Sequence, residues 1–262
     1  MSKVKLKQLI EELKSEIQKG MKENNIPGLS IAIVDNKGIL WSDGFGYTDE
    51  SKTKKVNSDT LFMIGSLSKA YNVMGFLRAM QRGLIHLDDQ LIKYYPEFSW
   101  NTRFDENEIK KITFRHLLTH YSGLPHFTPT KEKGEDKYLT FDDYITKIND
   151  CWQKYPVGNR ISYSNAGVDL AAFVLQKISG MSYAEYIEKE VYLPLGMKNS
   201  LVEPAKALKT ENHARGFTEE RQSIIEETIT PCLGAGAQFS SVNDMAKFLM
   251  MHFNNGMVNE ER

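Results

Sequence analysis

Residues 29–35 and 39–47 read as two strands joined at Asn36-Lys37-Gly38, a hairpin signal. They are the one convincing strand pair in a chain whose middle reads as helix. That combination restricts the fold. A two-stranded hairpin is marginal by itself in water, and its outer edges present unpaired backbone groups. Either the helices cover it, or it is one side of a larger antiparallel sheet whose other strands lie outside these 262 residues. The alternation in Ile31, Ile33, Ile39 and Trp41 predicts one face against helices and one edge without its partner.

Around the hairpin the apolar positions recur at helical steps. Leu6, Leu9, Ile10, Leu13, Ile17 and Met21 predict an amphipathic helix over residues 3–24, ended by Asn24-Asn25-Ile26-Pro27-Gly28. An apolar run from Leu61 to Ile64 and then Gly65 precede a helix from Ser66, closed by Gly83. Residues 84–112 mix short apolar runs with turns. Thr113 caps a short helix through His120, which Ser122-Gly123-Leu124-Pro125 breaks, and residues 129–138 form a charged, exposed loop. A helix over 166–179 ends at Gly180. Ser182-x-x-Glu185 is a capping-box signature for the next, and Ser241-x-x-Asp244 opens the last.

No repeat or linker divides the chain, and 41% hydrophobic residues suffice for a sizeable core. The expectation is a single domain over residues 1–262. Residues 1–60 supply an amino-terminal helix and the hairpin, and 61–262 a mainly helical subdomain. A formal net charge of -1 gives no case for nucleic acid or an anionic membrane as partner. There is no signal-peptide core and no apolar run of membrane length. Cys151 and Cys232 do not make a disulfide framework, so the setting read from the sequence is reducing and cytoplasmic.

Ser66-Leu67-Ser68-Lys69 carries the chemistry. Ser-x-x-Lys occurs three times, at Ser2, Ser51 and Ser66, but only the third opens an apolar-faced helix. One turn puts Ser66 and Lys69 on the same face, where lysine can take the serine proton if burial lowers its pKa. The alternative is an N-cap serine beside a solvated lysine. In Ile161-Ser162-Tyr163-Ser164-Asn165, Tyr-x-Asn puts a phenol and a carboxamide on one side of an extended strip. A phenol near an ammonium can act as a base. The amide can grip a substrate carbonyl and also bond the lysine. Tyr163 and Asn165 read alone as a structural tyrosine and a helix cap. His116 and His120 have metal-ligand spacing but no third ligand, so no metal and no cofactor are expected. Cys232 reads as a buried filler, and Tyr121 and His126 flank the Ser-Gly-Leu-Pro turn. No Gly-x-Ser-x-Gly elbow or Walker-type loop occurs.

With these stretches in order, the chain resembles the serine β-lactamase and penicillin-binding-protein superfamily, class C-like branch. The resemblance rests on Phe62-Met63-Ile64-Gly65-Ser66-Leu67-Ser68-Lys69, on Leu84-Ile85-His86-Leu87-Asp88-Asp89, and on Ile112 to His120 followed by Ser122-Gly123-Leu124-Pro125. Tyr163-Ser164-Asn165-Ala166-Gly167, Leu193-Pro194-Leu195-Gly196-Met197, and Gly234-Ala235-Gly236 through Ser240 to Asp244 complete it.

The resemblance implies an α/β fold of the β-lactamase/transpeptidase type, an antiparallel sheet flanked by helices plus a mainly helical subdomain. It implies Ser66 as acylated nucleophile, Lys69 as its proton acceptor, Tyr163 as proton shuttle and Asn165 as a substrate-positioning group. The Ser66 backbone N–H becomes one oxyanion-hole donor. Substrates would be esters, amides or β-lactam-like compounds, small or peptide-like. The branch's third motif, Lys- or His-x-Gly on a sheet strand, occurs nowhere in the sequence. The sheet is therefore expected to be incomplete and the chain truncated at its carboxy end. The alternative function is an impaired, truncated or split member of the fold that acts as a binding module or needs a complementing segment. Its unpaired sheet edge would allow self-association.

Overall fold

The computed structural model describes residues 3–131, 138–217, 223–224 and 230–258. Helix α1 (Lys3–Glu23) leads into the hairpin of β1 (Gly28–Val34) and β2 (Ile39–Gly46). Strand β3 (Phe62–Met63) and a 3₁₀ turn, Gly65–Leu67, precede α2 (Ser68–Gln81). Then come α3 (Leu91–Tyr94), α4 (Phe114–Leu118), α5 (Phe141–Ile148), α6 (Asn165–Ser179) and α7 (Tyr183–Ile187). Helix α7 continues through a π segment, Glu188–Tyr192, into α8 (Leu193–Leu195). The chain ends with β4 (Ser200–Leu201), α9 (Pro204–Ala207), β5 (Gly216–Phe217), β6 (Ser223–Ile224), β7 (Phe239–Ser240) and α10 (Val242–Phe253).

The hairpin forms as expected. β1 and β2 pair antiparallel, with Ile31 opposite Asp43 and Ile33 opposite Trp41. Asp35 closes the turn, its carboxylate accepting from Lys37 N–H at 2.7 Å and Gly38 N–H at 3.0 Å. Among the described residues the two strands pair only with each other. Every residue of β1 is half-buried, and Ile39 and Leu40 of β2 are exposed, so the hairpin lacks the fully buried face that its alternation predicts. Helix α10 packs on it, and Lys14 of α1 reaches Asp43 at 3.7 Å. Among the described residues none before Ile64 joins the main buried cluster, which runs through α2, α4, α5, α6, α7 and α10.

Two sheets were not foreseen. β7 pairs antiparallel with both β3 and β4, making a three-stranded sheet just ahead of Ser66. β5 pairs with β6. Over the described residues each of these strands is two residues long, too short for alternation to register. Helix α5 was also missed, although Thr140 caps it by accepting from Asp143 N–H and Tyr144, Ile145 and Ile148 form its buried side. The expected caps on the other helices are present. Thr113 and Ser182 form capping boxes with His116 and Glu185, and Ser241 accepts from Asp244 N–H. Helix α4 stops at Leu118, and His120 lies in the left-handed region at φ 65°. The charged loop expected over 129–138 lies mostly outside the described residues.

The turn after α4 depends on Gly123. Its φ is +79°, and an added Cβ would lie 2.0 Å from the Tyr155 carbonyl oxygen. The left-handed conformation alone costs a non-glycine residue about 1–2 kcal/mol, and the carbonyl must also move. Gly123→Ala is expected to lower unfolding free energy by about 2 kcal/mol or more in urea titration. An unchanged midpoint would show that this turn relaxes freely.

Candidate active site

The 3₁₀ turn decides what Ser66 can do. The first turn of α2 has no side-chain cap, so Ser66 is not the N-cap serine of the alternative reading. Its Oγ accepts from Tyr163 Oη at 2.7 Å and from Lys69 Nζ at 3.2 Å. Ser68, buried beneath, donates to the Gly65 carbonyl and accepts from Gln238 N–H, locking the turn to the segment before β7. Lys69 is half-buried and makes a second bond, to the Ala235 carbonyl at 2.6 Å.

Tyr163 reaches the site from the extended stretch before α6. Ser164 caps α6 by accepting from Gly167 N–H and donates to the Pro125 carbonyl at 2.7 Å, tying this stretch to the Ser-Gly-Leu-Pro turn. The Lys69 ammonium lies 4.7 Å from the Tyr163 ring centroid. Burial works to raise the phenol, but interactions with Lys69 and Ser66 outweigh it and hold the phenol below its ordinary value. The ascending limb of a pH–rate profile for Ser66 acylation should therefore lie below the ordinary phenol value of about 10. Tyr163→Phe should remove that limb; a limb that persists in the variant would belong to another group.

Two histidines complete the surroundings of the phenol. His120 packs at 4.5 Å between ring centroids and His126 edge-on at 5.1 Å. His120 Nδ1 accepts from Ser164 N–H at 3.2 Å. Burial, with the charge of Lys69 and then His126, pushes the His120 imidazole down, favouring the neutral ring. His116 serves elsewhere, between Thr113 and the Lys111 carbonyl. The helical spacing of the pair could not reveal that one of them faces Tyr163, because His120 has already left the helix.

Asn165, the first residue of α6, lacks the expected contact with the lysine. It does not bond Lys69: its Oδ1 is buried without a hydrogen-bond partner. The Ala235 carbonyl takes that place, a backbone acceptor for which sequence has no signal. Cys232 is buried with its thiol pushed up to about 12 by burial, consistent with a filler. A cavity of about 860 Å³ lies elsewhere, between Met74 and Leu77 of α2, Glu190, and Met251 of α10, and none of Ser66, Lys69 or Tyr163 lines it. No helix among the described residues is long and apolar enough to cross a membrane.

An amine and a phenol thus converge on one serine oxygen, at the start of a helix and just behind a short antiparallel sheet. The family model for Beta-lactamase matches residues 13–262, and the chain belongs to that family. It is similar to an octameric penicillin-binding protein homologue from Pyrococcus abyssi, with TM-score 0.79 and 28% identity over 95% of this chain and 57% of that one. A class C beta-lactamase from Rhodobacter sphaeroides aligns with TM-score 0.76 and 25% identity, over 95% of this chain and 67% of that one. Among curated proteins, Protein flp of Staphylococcus aureus (strain MW2) is 28% identical over 79% of this chain and 41% of its own length. Beta-lactamase-like protein 2 of Dictyostelium discoideum is 30% identical over 74% of this chain and 36% of its own. The chain thus spans well under half the length of these curated relatives.

Proposed function

We propose that this chain carries the nucleophilic centre of a serine acyl-hydrolase, acting through a covalent acyl-enzyme on esters, amides or β-lactam-like substrates. The observation that carries this reading is the convergence of Tyr163 Oη and Lys69 Nζ on Ser66 Oγ at 2.7 and 3.2 Å. In the resting arrangement both groups donate to Oγ. Loss of the phenol proton reverses the Tyr163 bond, and Ser66 then donates to the phenolate. Attack of Oγ on a substrate carbonyl passes the serine proton to that base, with Lys69 holding the phenolate charge. The oxyanion forms against the Ser66 backbone N–H. The proton reaches the leaving group through Lys69, whose ammonium gives up one proton and takes the Tyr163 proton in its place, and water releases the acyl group by the reverse path. Asn165, two residues beyond Tyr163 at the start of α6, would position the substrate by donating its amide N–H to a substrate carbonyl.

The test is a burst. Mixed with excess p-nitrophenyl ester, the chain should release p-nitrophenol in a burst equal to its own concentration, then turn over slowly. Parallel assays with a D-amino-acid p-nitroanilide and a chromogenic cephalosporin would separate the substrate classes. A linear progress curve that Ser66→Ala leaves unchanged would end this reading.

The hairpin supports a second reading, a member of the fold that needs a complementing segment. β1 and β2 pair only with each other among the described residues, and a strand supplied in trans could extend that sheet by edge pairing. Strand-bearing segments taken from the unmatched portion of a relative should raise the melting temperature and the burst amplitude by mass action. Concentration-dependent dimers in size exclusion would point to self-association instead. A monomeric, cooperatively melting and fully active chain, indifferent to added segments, would remove this second reading.

A further inference from the structure

No step above uses Asp169, yet its side chain is fully buried beside the site. It projects from α6 one turn beyond Asn165, amid the buried Val168, Leu170, Ala171 and Ala172. Asp169 Oδ1 accepts from Gly234 N–H at 2.9 Å and from Ala235 N–H at 3.0 Å. Oδ2 is buried without a hydrogen-bond partner. The Ala235 carbonyl, on the same short segment, accepts from Lys69 Nζ at 2.6 Å. Close approach makes this possible, since a Cβ at Gly234 would lie 2.7 Å from the Ala172 Cβ and 3.2 Å from Asp169 Oδ1.

An aliphatic side chain would suit this face of α6, but it could not accept two backbone N–H groups. Those groups cannot be removed, and leaving them buried and unpaired is costly. The groups facing the carboxyl are Lys69 from α2, Tyr144 from α5, Tyr183 from α7 and Cys232 from the 232–237 segment. Burial raises the carboxyl to about 7, against the two backbone donors and the charge of Lys69.

We infer that Asp169 is a positioning residue: by gripping the Gly234 and Ala235 amides it holds the Ala235 carbonyl on Lys69 and keeps that amino group aimed at Ser66. This rests on the acyl-transfer reading above. It assigns one helix, α6, the task of carrying Asn165 and of fixing the acceptor that orients Lys69.

The experiment has two readouts on the full chain: the rate of Ser66 labelling by a fluorophosphonate, and amide hydrogen exchange across residues 232–237. Asp169→Ala should slow labelling about tenfold or more, as small misplacements of reacting groups do, and speed exchange in that segment. Asp169→Asn keeps an Oδ1 that accepts the same two N–H groups, and should stay within about threefold of wild type in both readouts. Gly234→Ala should reproduce the Asp169→Ala result. Wild-type rates in Asp169→Ala would overturn the inference. So would an Asp169→Asn chain that folds yet labels as slowly as the alanine variant, and this arm decides if Asp169→Ala does not fold. A wild-type chain whose Ser66 takes no label would instead fail the acyl-transfer reading. The exchange readout then decides alone: unchanged exchange in Asp169→Ala overturns the inference and acceleration supports it.

Discussion

Lys69→Arg is expected to abolish useful acylation of Ser66, slowing fluorophosphonate labelling by about 10²–10⁴-fold, the range for loss of a positioned acid–base group. Arginine keeps the charge but stays protonated at any working pH, so it cannot share in moving the serine proton. Its planar fork also cannot reproduce a single nitrogen that touches both Ser66 Oγ and the Ala235 carbonyl. The loss should come without unfolding, because Lys69 is only half-buried and sits at the rim of the core. Labelling time courses on both proteins, with circular dichroism to check the fold, measure this. Near-wild-type labelling by the arginine variant would take Lys69 out of the proton path and leave Tyr163 to act alone.

Asp244→Ala should have the largest effect on stability, about 3–5 kcal/mol, the range for breaking a buried charge network from one side. The Asp244 side chain is fully buried in the first turn of α10. Its Oδ2 accepts from Asn199 N–H at 2.6 Å and from Ser200 Oγ at 2.9 Å, and its Oδ1 from Lys247 Nζ at 2.7 Å. One carboxylate thus joins α10 to β4, and through Ser200 and Ser240 to β7, the strand whose sheet precedes Ser66. Removal leaves Asn199 N–H, Ser200 Oγ and Lys247 Nζ without this acceptor, and the Ser200 hydroxyl is buried. Urea unfolding of both proteins checks this, and a midpoint shift worth less than about 1 kcal/mol would mean that water or a local shift replaces the carboxylate.

Periodicity and caps made much of this molecule legible. The 3–24, Ser66–Gly83 and 166–179 helices, the hairpin and three of the caps follow from signals within a few residues of each other, where chain geometry is set locally. The class and the pairing of Ser66 with Lys69 were legible for the same reason, since one helical turn fixes that distance. Tyr163 became legible through its motif, and its phenol does reach Ser66 Oγ across 97 residues of sequence. The strands of β3, β4 and β7 were not, because two residues cannot show a period and their pairing partners lie far along the chain. Asp169 carried a signal that went unread: an acid inside the apolar run from Ala166 to Leu175 must find buried donors. The acceptor on Lys69 could not be read at all. It is a main-chain carbonyl, and every residue has one.

The most direct test of the central claim is the site of covalent modification. Incubation of the full chain with a fluorophosphonate or penicillin probe, followed by peptide mapping by mass spectrometry, should place a single adduct on Ser66, none on Ser2 or Ser51, and none anywhere in Ser66→Ala. An adduct on a different serine that persists in Ser66→Ala would contradict the account.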